Sequence, residues 1–259
     1  MQKYTIIARL SATRGFDGGL LYVLGGYLMQ LARLIILLLL WRSLAEQGAD
    51  LGGFTLGELL LYTLFSSVLS EQLNVVTPAT TAFWEGSFIS NYLHPLPIVL
   101  QLIAETVGSW LPGLLLYSIP MLAISPLLGI DLAPLLSNAL PFVVSLFCAI
   151  SLGFALDFIF ASLVIHVQHA SYTAYSIRQA VIKLFSGALI PFALLPEGLG
   201  RIFELLPFGS VASAPLLILC GSSEVARLLS LQLLWNAILW PLALIMLRHS
   251  QERMVSYGG

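Results

Sequence analysis

Charged side chains are scarce in this chain. Asp, Glu, Lys and Arg make up 9% of its 259 residues, against about 25% in a water-soluble domain. Hydrophobic residues reach 58% and mean hydropathy is +0.94, so most of the molecule has lipid rather than water as its solvent. The few charges nearly balance, at a net −2, which gives no hint of a nucleic-acid partner. Cysteine is almost missing: Cys148 lies inside an apolar run and Cys220 outside it, and both read as packing residues rather than a disulfide. Long polar segments are missing too, so no soluble nucleotide-binding domain fits. The phosphate loop GxxxxGK[ST], the metal motif HExxH and the nucleophile elbow GxSxG are all absent.

Apolar runs of bilayer length are abundant. A helix needs about 20 mostly apolar residues to cross a hydrocarbon core, and six runs qualify: 20–41, 55–76, 98–124, 140–167, 180–195 and 228–247. They do not alternate as barrel strands would. The expected fold class is therefore an all-α membrane protein with six transmembrane helices in a single domain, 1–259. Residues 1–19 interrupt their apolar positions with Arg9 and Arg14, which suits an interfacial helix and not a signal peptide. Residues 20–247 form the bundle and 248–259 a cytoplasmic tail. Lys3, Arg9, Arg14, Arg178, Lys183, Arg248 and Arg253 outnumber Arg42, Arg201 and Arg227 on the other side, so the positive-inside bias puts both termini in the cytoplasm. His166 and His169, three apart at the end of the fourth run, have no carboxylate or cysteine to complete a metal site and read as interfacial residues.

Two connecting segments carry more information. TPATTAFWEGSFISNYLHPLP, 77–97, is too polar and proline-rich to cross. Residues 81–93 suit a short amphipathic helix, with Phe83, Trp84, Phe88 and Leu93 as apolar contacts and Glu85, Ser87, Ser90 and Asn91 as polar ones, before Pro95 and Pro97 end it. On the opposite side, 196–227 holds an amphipathic piece at 197–206. A second apolar run at 211–220 follows, broken by Pro215 and ended by Gly221. That run is too short to cross and reads as an outer re-entrant hairpin, tolerated only where protein or a wet cavity surrounds its backbone.

In this order the two segments resemble the membrane subunits of ABC-2-type transporters, in particular the six-span bacterial permease group. The resemblance rests on Trp84-Glu85-Gly86-Ser87-Phe88-Ile89 with Leu93-His94-Pro95-Leu96. Its second part is Phe185-Ser186-Gly187-Ala188-Leu189-Ile190-Pro191, followed by Pro196, Leu206-Pro207-Phe208, Pro215 and Gly221. It covers nearly the whole chain and implies a half-transporter in the bacterial plasma (inner) membrane, without a catalytic residue or cofactor of its own. ATP and Mg would be bound by two copies of a cytoplasmic ABC ATPase, and a second six-span permease, identical or paralogous, would complete the exporter. Phe83, Trp84, Glu85, Gly86, Phe88, Leu93 and His94 would form the coupling helix that docks on the ATPase. His94 stands where relatives often carry arginine. Pro196, Pro207, Phe208, Pro215 and Gly221 would shape the outer hairpin.

Five ionisable residues fall inside or beside the spans: Arg33, Glu71, Glu105, Asp157 and Lys183. Intramembrane charges are costly and are usually paired or functional. Counting along the spans places the last four towards the cytoplasmic half, with Lys183 paired to Asp157 or Glu105 and Arg33 to a carboxylate. They either fix packing or line a polar route. Two rival functions remain at this stage. An ATP-independent transporter or channel commonly shows matched broken helices in both halves, and here the irregular hairpin has no counterpart in the first half. An intramembrane enzyme or assembly factor would need polar residues converging at one depth, and no recognised spacing supplies them.

Overall fold

The computed structural model describes residues 2–16, 19–79, 96–164, 171–196 and 198–257, and every regular element among them is helical. The segment 80–95, which holds the proposed coupling residues Phe83, Trp84, Glu85, Gly86, Phe88, Leu93 and His94, lies outside the described residues, as do His166 and His169. Four described helices are long and apolar enough to cross a membrane: Val23–Glu46, Ile98–Leu128, Ala139–Leu163 and Val225–Ser250.

The first lies in α2 (Leu20–Glu46), which follows α1 (Gln2–Arg14). The second expected span is shorter and broken. α3 (Leu56–Val68) starts at a capping box in which the Glu58 amide donates to Thr55 Oγ1 and the Thr55 amide to Glu58 Oε2. It stops at Leu69, and one further turn, α4 (Ser70–Leu73), re-aims the chain. The break is stabilised from the side, because Ser118 Oγ donates to the Val68 carbonyl at 2.7 Å. The third span is a rod made of α5 (Ile98–Gly113), a π-helical turn Leu114–Ser118, α6 (Ile119–Ile124) and a 3₁₀ turn Ser125–Leu128. Pro120 has no N–H for the Leu116 carbonyl, so the ladder widens just before it. α7 (Ala133–Ser137) leads into α8 (Ala139–Val164).

The fifth expected span, 180–195, is corrected. α9 runs from Ser171 to Phe185, and residues 186–191 leave the helix. Gly187 takes a left-handed conformation, φ 75°, and Pro191 cannot rejoin the ladder. The apolar run that looked like the body of a span is partly buried irregular chain, and the carbonyls of its first three residues are satisfied by neighbouring elements. Tyr62 Oη donates to the Gly187 carbonyl at 2.8 Å, Ser66 Oγ to that of Ala188, and the Ser213 amide to that of Ser186 at 2.9 Å. α10 (Leu199–Leu205) and α11 (Ser213–Leu219) are two short helices within the stretch expected to form the hairpin, and α12 extends unbroken from Val225 to Tyr257. The expected tail therefore continues the last helix through Tyr257.

Contact registers fix the direction of each leg. Trp41 Nε1 donates to Thr63 Oγ1 while Gln30 Nε2 donates to Ser70 Oγ, so α2 and α3–α4 are antiparallel. Ser67 pairs with Tyr117, and Glu71 lies against Gly113, so α3–α4 and the third rod are antiparallel too. α8 and α12 run parallel along one polar seam. Ser145 Oγ donates to Gln232 Oε1 at 2.9 Å, Asn236 Nδ2 to the Cys148 carbonyl at 3.1 Å, Trp240 Nε1 to Ser151 Oγ at 2.8 Å and Ser250 Oγ to the Ser162 carbonyl at 3.3 Å. Hydrogen bonds between helices substitute here for the hydrophobic drive that lipid removes.

α1 docks lengthwise on α5. A side chain at Gly108 would strike the Ala8 backbone, and one at Gly15 would meet Pro112. Gly108→Val therefore expels α1 from this seat, and trypsin cuts at Lys3 and Arg9 faster than in the parent chain, as limited proteolysis in mild detergent would show.

Candidate functional site

The break at Leu69 turns Ser70, Glu71 and Asn74 into a polar cleft walled by α2, α5 and α9. The cleft has two lobes. The wider, about 840 Å³, is lined by Glu71, Ser109, Trp110, Tyr175, Ser176 and Gln179, among others. The narrower, about 520 Å³, is lined by Gln30, Arg33, Ser66, Ser67 and Ser186, among others. Ser70, Asn74 and Lys183 line both. A Cβ on Gly113 would stand 2.6 Å from Glu71 Oε1, so glycine at that position is what lets the carboxylate seat. Asn74 Nδ2 donates to Gln179 Oε1 at 2.7 Å, and Gln179 Nε2 to Tyr175 Oη at 3.1 Å. These bonds stiffen the wall between α4 and α9.

Of the five singled-out charges, the fold thus gathers Arg33, Glu71 and Lys183 around one cleft. The other two go elsewhere, and the expected pairings are overturned. Glu105 pairs with Arg14 of α1 at 3.0 Å. Asp157, 0% exposed, pairs with Arg178, 3% exposed, at 2.9 Å. Neither Lys183 nor Arg33 makes an ion pair among the described residues. The reason is helical phase. Arg178 and Lys183 are five residues apart on α9, so they leave the helix about 140° apart, and only Arg178 faces α8. Lys183 also lies in the last turn of α9 rather than near the start of a span.

Arg178 is the residue that the sequence reading missed, taking it for a loop cation because the span was begun too late. Its guanidinium bridges Asp157 and the Val75 carbonyl, while the Thr77 amide donates to the other Asp157 oxygen at 2.9 Å. Thr77 Oγ1 in turn accepts from the Ala79 amide. One buried ion pair therefore clamps 75–79, the stretch leading into the expected coupling segment, onto α8 and α9.

At the opposite end the hairpin is sealed by aromatics. Phe185 meets Phe203 edge-on with centroids 4.9 Å apart, and Phe208 and Phe192 complete the cluster. Pro207 occupies the turn between α10 and α11, Pro215 sits in the first turn of α11, and Gly221 closes it with φ 88°. Pro196 precedes α10 without joining it. α11 is buried against α3 and α8. Burial raises the pKa of the Glu204 carboxyl despite the guanidinium of Arg227, 3.7 Å away.

Long apolar rods, a partly buried irregular segment and a polar cleft between them define the class of multi-pass helical membrane proteins. The chain belongs to the ABC-2 family transporter proteins, whose family model matches residues 31–258. No curated protein and no solved structure matches it. The matched stretch begins inside α2 and takes in Arg33, Glu71, Asp157, Arg178 and Lys183, leaving α1 outside. The molecule is a membrane permease of an ABC transporter.

The clamp makes a direct prediction. Asp157→Asn strands a buried guanidinium, so the thermal midpoint in detergent falls by the equivalent of about 3–5 kcal/mol. Asp157→Leu combined with Arg178→Met recovers only part of that loss, because the Thr77 amide and the Val75 carbonyl are left without their partners. Lys183→Gln, which breaks no ion pair, stays within about 0.5 kcal/mol of the parent.

Proposed function

We propose that this chain forms half of the translocation pathway of an ATP-driven exporter in the bacterial inner membrane. It crosses six times, with both termini in the cytoplasm. The parallel alignment of α8 and α12 supports this count: the chain between them must return once, and α9 with the irregular segment 186–195 is the element available to do so. α3, α4 and the extended chain after them make the second crossing in the same interrupted manner. Residues 196–221 then form a hairpin that dips in from the outer side.

ATP and Mg are handled by two copies of a separate cytoplasmic ABC ATPase, and a second permease, identical or paralogous, faces this one. That pairing suits the α2 surface, where Leu21, Leu28, Met29 and Ile36 are exposed beside the cleft. The segment 81–93 docks on the ATPase through Phe83, Trp84, Phe88 and Leu93, with Glu85, Gly86 and His94 at the contact. The Asp157–Arg178 clamp holds the chain a few residues upstream, and movement of the docked segment pulls on α8 and α9 and so on the cleft wall.

The observation that carries this reading is the family match over 31–258, which takes in the clamp and nearly all of the cleft. Affinity purification of the chain from its native membrane in mild detergent, followed by mass spectrometry, tests it. A Walker-type ATPase co-purifies, with or without a second six-span protein. Recovery of the homogeneous chain alone would instead favour an ATP-independent transporter. Trp84→Ala removes an aromatic anchor of the kind that contributes about 2 kcal/mol or more at interfaces, so ATPase recovery falls at least tenfold; undiminished recovery would remove this docking site.

A further inference from the structure

We infer that the narrow lobe of the cleft receives the headgroup of an anionic amphiphile, a single-chain molecule bearing one phosphate or carboxylate. The inference rests on the permease reading and names the cargo class of that same cleft.

Arg33 lies near the middle of the 24-residue apolar stretch Val23–Glu46, and Lys183 in the last turn of α9, yet both line the same lobe. Neither has a carboxylate partner among the described residues, and no Asp or Glu lines that lobe. Charges at membrane depth persist where they pair or face a polar cavity. Arg33 and Lys183, both exposed, line the same lobe; two cations there repel each other, and an anion between them removes that repulsion while satisfying both. Among the described residues, Glu71 in the adjoining lobe is the only carboxylate lining either lobe, so their charges in the cleft sum to a positive value.

The neutral groups suit the same guest. Ser70 Oγ accepts from Gln30 Nε2 at 2.8 Å, which leaves its hydroxyl proton to donate to an oxyanion. The rest of the wall is mixed, with Leu34, Leu37 and Ile182 as its aliphatic part and Thr63, Ser66 and Ser67 among its hydroxyl groups. Met29 lines the lobe while 73% exposed on the outer face of α2. A headgroup held by Arg33 and Lys183 can therefore leave its hydrocarbon tail running past Met29 onto the apolar surface of α2. A free inorganic anion uses only the polar half of this surface, and a cationic guest meets two like charges.

The test is made on the purified full chain in dodecyl maltoside, following tryptophan fluorescence, since Trp110 lines the adjoining lobe. Dodecyl phosphate, dodecyltrimethylammonium and inorganic phosphate are titrated separately. Dodecyl phosphate binds saturably and at least tenfold tighter than either of the others. Arg33→Gln and Lys183→Gln each weaken it about tenfold, the loss of one charge-assisted contact. Lys183→Arg, which keeps the charge, retains binding, and this separates lost recognition from lost folding. Equal affinity for the cationic amphiphile, unchanged affinity in Arg33→Gln/Lys183→Gln, or inorganic phosphate binding as tightly as dodecyl phosphate would each overturn the proposal. Failure of an ATPase to co-purify would defeat the permease reading and leave this binding result standing; failure here defeats only the cargo class.

Discussion

A carboxylate and a guanidinium, both closed off from solvent, hold the centre of this bundle. Asp157 on α8 and Arg178 on α9 contact each other at 2.9 Å, and together they take up the Thr77 amide and the Val75 carbonyl. An isolated charge at that depth costs several kcal/mol, and the attraction offsets this only where geometry and extra hydrogen bonds are good. The pair therefore does more than join two helices. It makes the extended stretch 75–77 tenable inside the protein by satisfying backbone groups that lipid would leave bare. The position of α9, one wall of the cleft and the exit into the segment 80–95 all depend on that arrangement.

The same constraint explains the irregular parts. Lipid offers no hydrogen bonds, so wherever the backbone departs from a helix a neighbour supplies the missing partner. Tyr62 and Ser66 serve the carbonyls of Gly187 and Ala188, and Ser118 serves Val68 beside the break in α3. Gln232, fully buried, donates to the Ser145 and Ser210 carbonyls and ties the hairpin turn to the α8–α12 seam. Each irregularity opens space or re-aims a side chain, and the cleft with Arg33, Glu71 and Lys183 lies where two of them meet.

Much of this architecture was legible in the chain. The long runs at 20–41, 98–124, 140–167 and 228–247 correspond to α2, the third rod, α8 and α12, because an uninterrupted apolar run of that length has no soluble alternative. The limits of the short helices α10 and α11 were legible from Pro207 and Gly221, which stop helices through their own backbone geometry, whereas Pro215, expected to break the run, is accommodated in the first turn of α11. α9 was not. Its first half carries Ser171, Thr173, Ser176, Arg178 and Gln179 and looks like a loop, while the apolar stretch after Phe185 looks like a span and is not helical. Hydropathy registers what a side chain prefers on average, and here tertiary partners satisfy Arg178 and Gln179 and hold the apolar stretch out of the helix.

By itself the sequence determined the solvent, the helical class and the inventory of intramembrane charge, since each follows from composition and run length and needs no knowledge of neighbours. The ABC-2 resemblance read from the segments around Trp84-Glu85-Gly86 and Phe185–Pro191 agrees with the family match over 31–258. Only the tertiary structure decided which charges meet. Asp157 and Glu105 had several cations within plausible reach, and helical phase together with the docking of α1 on α5 assigned them to Arg178 and Arg14. Among the described residues, that assignment leaves Arg33 and Lys183 without carboxylates of their own beside the narrow lobe, a fact of three-dimensional pairing that no linear pattern encodes.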